Sequence, residues 1–287
     1  MARGLPEPAA MAVGGLAGRV MAAAAGDRAR MIERHLQRVH GGALSQPALD
    51  RAVRAAFDSY ARYWVESFRL PDTDLATLDA RMSWQGLDVL DAALARGNGA
   101  LIALPHLGGW DFGGAWWCAL GYQITVVVEA VEPPELFDWF VDLRRSLGMT
   151  IVPLGPDAGT AVLKALKDGG VVALVCDRDI SGAGIEVDFF GERTTLPSGP
   201  ATLALRTGAP LLPASVYFRG RRGHLGVVRP PVDVERAGRF RDDVTRVTQA
   251  LASELEALIR HTPEQWHLMQ PNWPSDRDGP EREGQVP

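Results

Sequence analysis

The chain of 287 residues is short of several things at once. It has 2 cysteines, Cys118 and Cys176, so a disulfide framework is excluded, and a reducing compartment is the default reading. Neither cysteine has a CxxC or Cys/His spacing around it, so both read as buried free thiols, and no metal site is expected. Lysine is almost absent: Lys164 and Lys167 stand alone among arginines, a coding bias from which no function follows. Cations are also outnumbered, at 30 Lys and Arg against 35 Asp and Glu, for a net charge of -5. That balance argues against nucleic acid as a partner, because phosphate binding needs a basic surface. No apolar stretch reaches the roughly 20 residues that span a bilayer. The nearest, Met11 to Ala25, is interrupted by Arg19, and the Glu7 and Pro8 before it suit a signal peptide poorly. A GxSxG nucleophile elbow is missing as well.

What is present is a core. A hydrophobic fraction of 46% and a charged fraction of 23% describe an ordinary globular chain. The first hundred residues read as helical. Leu49, Val53, Ala56, Phe57, Tyr60, Tyr63, Trp64 and Phe68 recur at three- to four-residue spacing along one broad face. A second such stretch, Leu87 to Leu94, stops at Gly97-Asn98-Gly99.

From residue 100 the texture changes. Short continuous apolar runs at Ala100–Leu104, Ile124–Val128, Thr150–Val152 and Val171–Val175 predict buried strands. Helical stretches at Asp111–Leu120, Pro134–Leu147 and Gly159–Lys167 separate them, and this alternation predicts an α/β fold with a mostly parallel sheet. Further strands are expected at Glu186–Phe190, Leu211–Phe218 and Leu225–Val228, with helices at Ser198–Thr207 and Val244–Arg260. The expected organisation is one domain over residues 1–275. Its helical N-terminal layer covers 1–97 and its α/β core 98–275, with a polar tail at 276–287.

The segment richest in chemistry is Leu104-Pro105-His106-Leu107-Gly108-Gly109-Trp110-Asp111, at the end of the first predicted strand. Ligands of open α/β sheets gather at the carboxyl ends of strands. The two glycines allow a tight turn that could return the Asp111 carboxylate to the His106 imidazole. A carboxylate on one ring nitrogen would fix the tautomer and leave the other nitrogen as a general base. With no protein nucleophile in sight, such a base would act directly on a substrate hydroxyl. A strand-end histidine beside a helix-capping aspartate accounts for the same spacing.

The segment resembles the His-x4-Asp motif of glycerolipid and lipid A-type acyltransferases, and the resemblance continues in order along the chain. Ser59-Tyr60-Ala61-Arg62-Tyr63-Trp64, Arg144-Arg145-Ser146-Leu147-Gly148-Met149, Asp177-Arg178-Asp179, Pro197-Ser198-Gly199-Pro200 and Trp266-His267-Leu268-Met269-Gln270-Pro271 are among its blocks. Together, over roughly residues 5 to 275, they are similar to the phosphatidylinositol mannoside acyltransferases of actinobacteria. The resemblance implies transfer of a long acyl chain from acyl-CoA to a mannose hydroxyl of a phosphatidylinositol mannoside. It implies no metal and no cofactor beyond acyl-CoA as co-substrate, and work at the cytoplasmic face of the cell membrane as a peripheral protein.

Carried over residue by residue, the same resemblance makes His106 the base, Asp111 its partner and Asp177 a further catalytic carboxylate. Glu129, Arg144, Arg178, Asp179 and His267 become candidates for substrate binding, with Arg144 facing an inositol or CoA phosphate. Ion pairs and core packing are the structural alternatives for each. The chain departs from its relatives at Gly109, where they usually carry asparagine, at Ala130, where arginine is frequent, and at Asp177, where glutamate is usual. The oxyanion of such a reaction would need donors, with backbone N–H groups at Gly108–Gly109 or a helix start as candidates. Trp110, Trp116 and Trp117 suit either an acyl groove or the core. An N-terminal helix with Arg19, Arg28, Arg30, Arg34 and Arg38 nearby could lie on anionic lipid or pack on the sheet. Other readings of the same motif are an acyltransferase using acyl carrier protein or another glycolipid, a thioesterase, and a non-catalytic lipid-binding protein.

Overall fold

The computed structural model describes residues 6–24, 26–129, 133–155 and 157–277, the side chains of Ala17 and residues 19–24 excepted. Ala130, the Arg19 side chain and the tail from residue 278 therefore lie outside the described residues. Three helices come first: α1 (Glu7–Ala24), α2 (Gly26–Val39) and α3 (Gln46–Arg69). Small residues bring α1 onto α3. A Cβ on Gly14 would stand 2.5 Å from Val65 Cγ2, and one on Gly18 3.0 Å from the Phe57 carbonyl oxygen. Helix α2 buries Ile32, His35, Leu36 and Val39, a spacing that lines one face of a helix.

Next come α4 (Leu75–Arg81), β1 (Met82–Gln85), α5 (Leu87–Leu94) and β2 (Ala100–Leu104). Asp74 caps α4, accepting the Thr77 N–H at 2.8 Å. The chain continues through α6 (Trp110–Ala119), β3 (Ile124–Val128), α7 (Pro134–Ser146), β4 (Thr150–Pro153), α8 (Ala158–Lys167) and β5 (Val171–Val175). A hairpin of β6 (Ile185–Phe189) and β7 (Glu192–Leu196) precedes α9 (Gly199–Thr207), β8 (Leu211–Arg219), β9 (Gly223–Val228), α10 (Phe240–His261) and the single turn α11 (Pro274–Arg277).

Seven of the described strands form the central sheet, in the order β1-β9-β8-β2-β5-β3-β4. Every pair is parallel except β8 with β9. The continuous apolar runs are explained by cover on both faces. In β2, Leu101 and Ala103 enter one core, under α8, α9 and α10, while Ala100, Ile102 and Leu104 enter the other, under α4, α5 and α6. All five are buried.

The α/β fold is as expected, with three differences in detail. Met82–Gln85, inside the stretch read as helical, is an edge strand pairing with β9, Met82 opposite His224. Its four residues are only half covered, which leaves too weak a pattern to separate it from a short helix end. Glu192–Leu196 was not anticipated as a strand and pairs antiparallel with β6. Helix α11 runs two residues into the stretch expected to be a polar tail from 276, and its Asp276 is buried and accepts the backbone N–H groups of Asn272 (3.0 Å) and Trp273 (3.1 Å).

Candidate active site

Strand β2 ends at Leu104, and its neighbour β5 ends at Val175, in register. The chain therefore delivers His106 and Asp177 to the same edge of the sheet, one residue past each strand's flank. Asp177 is fully buried, with 0% exposure. Its Oδ2 accepts the His106 backbone N–H at 2.9 Å and the Trp266 indole N–H at 2.7 Å, while Oδ1 lies 2.6 Å from His106 Nδ1. Burial alone would push the carboxyl up, but the His106 ring and these three N–H groups hold it below its ordinary value. An ionised carboxylate only accepts, so Nδ1 carries the proton that faces Asp177, and in the neutral ring the lone pair falls to Nε2. The His106 side chain is 35% exposed.

The partner of His106 is thus Asp177, and not Asp111 as the five-residue spacing suggested. The tight turn exists: Gly108 has φ 64°, and a Cβ there would stand 2.1 Å from the Val216 carbonyl oxygen. It swings Asp111, in the first turn of α6, toward α3 and α7. Asp111 Oδ1 accepts Arg144 Nε at 2.8 Å, and Oδ2 accepts the Tyr63 hydroxyl at 2.8 Å and Arg144 Nη2 at 3.3 Å. Burial and the neighbouring Asp111 charge push the Tyr63 hydroxyl well up. Arg144, expected to face a phosphate, has its fork filled by Asp111.

The turn itself is fastened on both sides. Gly108 N–H donates to the Gln265 carbonyl at 2.9 Å, Gly109 N–H to the Val216 carbonyl at 2.8 Å, and His267 N–H to the His106 carbonyl at 2.7 Å. The two glycine amides considered as oxyanion donors are therefore already engaged. The His267 ring is buried among Tyr60, Tyr63, Trp110 and Phe218, with Nε2 2.8 Å from Ser59 Oγ. Burial, helped by the charge of His106, pulls its pKa down to about 3. It packs inward of the His106 turn and does not reach outward.

Asp179 organises its own loop, taking the N–H groups of Ser181 (3.1 Å), Gly182 (3.1 Å) and Gly184 (2.8 Å). Glu129 and Arg178 are half-buried at the carboxyl ends of β3 and β5, and neither forms an ion pair among the described residues. Trp116 and Trp117 are core residues, whereas Trp110 stacks on Tyr63 with ring centres 4.4 Å apart. Beside it, Trp64 and Phe68 of α3 meet Trp139 and Phe140 of α7. Of the two thiols, Cys176 is buried and Cys118 half-buried, and burial pushes Cys118 up to about 11. Among the described residues no group of three or more metal-ligating side chains occurs. The partners that spacing could not supply are Tyr63 and Trp266, which stand 48 positions from Asp111 and 89 from Asp177.

Comparison with known proteins bears on this arrangement. Residues 1–275 match the family model for bacterial lipid A biosynthesis acyltransferase. A phosphatidylinositol mannoside acyltransferase of Mycolicibacterium smegmatis is 39% identical over 281 residues, covering 96% of this chain and 89% of the relative. A phosphatidylinositol mannoside acyltransferase of Mycobacterium tuberculosis is 43% identical over 232 residues, covering 79% of this chain and 72% of the relative. The chain belongs to the bacterial lipid A biosynthesis acyltransferase family.

Proposed function

We propose that this acyltransferase moves a long acyl chain from acyl-CoA to a mannose hydroxyl of a phosphatidylinositol mannoside, with His106 as the general base. One observation carries the reading. A partly exposed imidazole, its Nδ1 held 2.6 Å from a fully buried carboxylate, stands at the carboxyl edge of the sheet. The acceptor hydroxyl gives its proton to Nε2 as its oxygen attacks the thioester carbonyl. Asp177 stabilises the imidazolium, the tetrahedral intermediate expels the CoA thiolate, and Nε2–H returns the proton to it. No covalent enzyme intermediate and no metal is needed. With the glycine amides engaged, the first turn of α6 is the remaining donor source for the oxyanion.

Glu129 and Arg178, half-buried at the ends of neighbouring strands, are the side chains we assign to acceptor hydroxyls and substrate phosphate. The aromatic shelf of Trp64, Phe68, Trp139 and Phe140 suits an acyl chain. No described helix is long and apolar enough to cross a membrane. The acceptor is a lipid, so we propose that the chain works as a peripheral protein at the cytoplasmic membrane face, with α1 toward the lipid; Val13 and Leu16 are 58% and 60% exposed there.

The test is to incubate purified protein with palmitoyl-CoA, with and without phosphatidylinositol dimannoside, and to follow free CoA and lipid mass. Acceptor-dependent CoA release with an acylated product, lost in His106→Ala, is the expected result. CoA release without acceptor would replace the reading with a thioesterase. Turnover with acyl carrier protein alone would change the donor.

A further inference from the structure

Strand β8 runs past the site. It pairs with β2 from Leu101 opposite Leu211 to Ala103 opposite Pro213, and bridges Gly108 at Val216. It then continues to Arg219, about 10 Å further at some 3.4 Å per residue, before the three-residue turn Gly220-Arg221-Arg222 returns the chain to β9. The β8–β9 hairpin therefore overhangs the edge that holds His106. Its tip places Arg219, Arg221 and Arg222, all exposed, within four residues.

Two features show that this tip is built to present its arginines. Its backbone is held from α3, where Arg62 Nη1 donates to the Gly220 carbonyl at 2.8 Å and Nη2 to the Gly223 carbonyl at 3.1 Å. Arg62 Nε meets Glu66 at 2.7 Å, and Glu66 also holds buried His224 Nε2 at 2.8 Å. The tip thus has a fixed frame, and its three long side chains are free of that frame. Glu7, 3.5 Å from Arg222, is itself engaged by Arg81, and Arg219 and Arg221 make no ion pair among the described residues. Glu7 also begins α1, so the exposed Val13 and Leu16 follow within about three helical turns.

We infer that the β8–β9 hairpin tip is the contact that docks this chain on an anionic phospholipid bilayer, and that α1 lays apolar side chains against the same surface. The inference rests on the acceptor being a membrane lipid, and it adds which element of the chain reaches the bilayer. Charge makes the case for one occupant. A chain of net charge -5 is repelled as a whole by an anionic surface, so approach requires a local cationic element, and this tip concentrates three cations beside exposed apolar residues. The geometry adds a consequence: the His106 turn is bridged to β8 at Val216, so docking the tip brings the same edge of the sheet to the lipid.

The experiment is cosedimentation of the full chain with vesicles of phosphatidylcholine alone, or with about a third phosphatidylglycerol. The test variant is Arg219→Gln/Arg221→Gln/Arg222→Gln. A charge-matched control, Arg51→Gln/Arg54→Gln/Arg96→Gln, changes exposed arginines elsewhere. Wild type and control should partition onto anionic vesicles, falling off with salt. The tip variant should lose about a hundredfold in partition coefficient, from a contribution of about fivefold per arginine. It should keep its melting temperature and its turnover of detergent-dispersed acceptor. Full partitioning of the tip variant overturns the inference, and so does an equal loss in the control. Normal partitioning with a raised KM for the acyl donor also overturns it, making the tip a site for donor phosphates. Partitioning is read without turnover, so a failure of the acyltransferase reading and a failure of this one separate cleanly.

Discussion

Lowering the pH from 7 to 5 should destabilise this chain through the buried His267. Its ring packs inward of the His106 turn, and its pKa is pulled down to about 3, so it stays neutral in the folded state at either pH. In the unfolded chain it recovers a value near 6.5. The unfolded state therefore binds a proton that the folded state refuses, and stability falls as pH drops below about 6.5 until the folded value is reached. Between pH 7 and pH 5 the loss is about 2 kcal/mol, since each unit is worth about 1.36 kcal/mol and about 1.5 units are traversed. Any folded value under about 4 gives the same figure, because pH 5 lies above it. The carboxylates held low, Asp177, Glu66 and Asp276, have the opposite kind of shift, with stability present above their unfolded values and lost only in more acid solution. The assay is urea unfolding at pH 7 and pH 5 for the wild type and for His267→Gln, whose amide can meet Ser59 in place of Nε2. The wild type should lose about 2 kcal/mol more than the variant over that step. Equal losses would refute the reasoning, because they would mean that His267 is protonated in the fold or titrates alike in both states.

Other expectations follow from the same geometry. Asp177→Asn should cut acyl transfer by about a hundredfold or more while the chain stays folded, because the amide cannot stabilise the imidazolium; single-turnover CoA release checks it. Arg144→Met should cost about 3–5 kcal/mol by leaving the buried Asp111 carboxylate without its cation, measured by denaturant midpoint. Gly109→Asn puts a Cβ 2.9 Å from Phe218 Cε1 and 3.1 Å from His224 Cδ2, and should cost about 1–3 kcal/mol. Thermal unfolding would show it, and a variant as stable as wild type would mean the Phe218 ring moves freely.

The sheet was legible because β2, β3 and β5 are covered on both faces, so their sequences are unbroken apolar runs that little else produces. Helices α7 to α10 were legible from an apolar face recurring along each, and α6 from its place between two buried strands. Strand β1 was hidden because an edge strand of four half-covered residues carries no such signature. Within the site, the sequence pointed to His106 through its position after an apolar strand, and to Asp177 through the family resemblance. It misdirected the partner because local spacing reports only what a turn permits. Which carboxylate meets the ring depends on the β2–β5 register and on Trp266, neither of which lies within 70 positions of its partner. The expected phosphate role of Arg144 gave way for a related reason: a cation on α7 seeks the nearest desolvated anion, and the fold brings Asp111 to it.

The two aspartates therefore have separate partners, where a single His-x4-Asp spacing seems to join one of them to the histidine. Asp177 meets the imidazole Nδ1 through Oδ1 and the His106 backbone N–H through Oδ2, so its charge bears on the proton at Nδ1. Asp111 is tied to α3 through Tyr63 and to α7 through Arg144, and those two helices carry Trp64, Phe68, Trp139 and Phe140, the shelf beside the base. Losing Asp111 would loosen that wall and orphan a buried guanidinium, so Asp111→Asn should lower both stability and turnover. Losing Asp177 should lower turnover chiefly through the base. Activity alone cannot separate the two carboxylates, since both variants would be slow. A pH–rate profile on the residual activity does: replacing Asp177 should move the limb that reports His106, whereas replacing Asp111 should scale the profile down and leave that limb where it was.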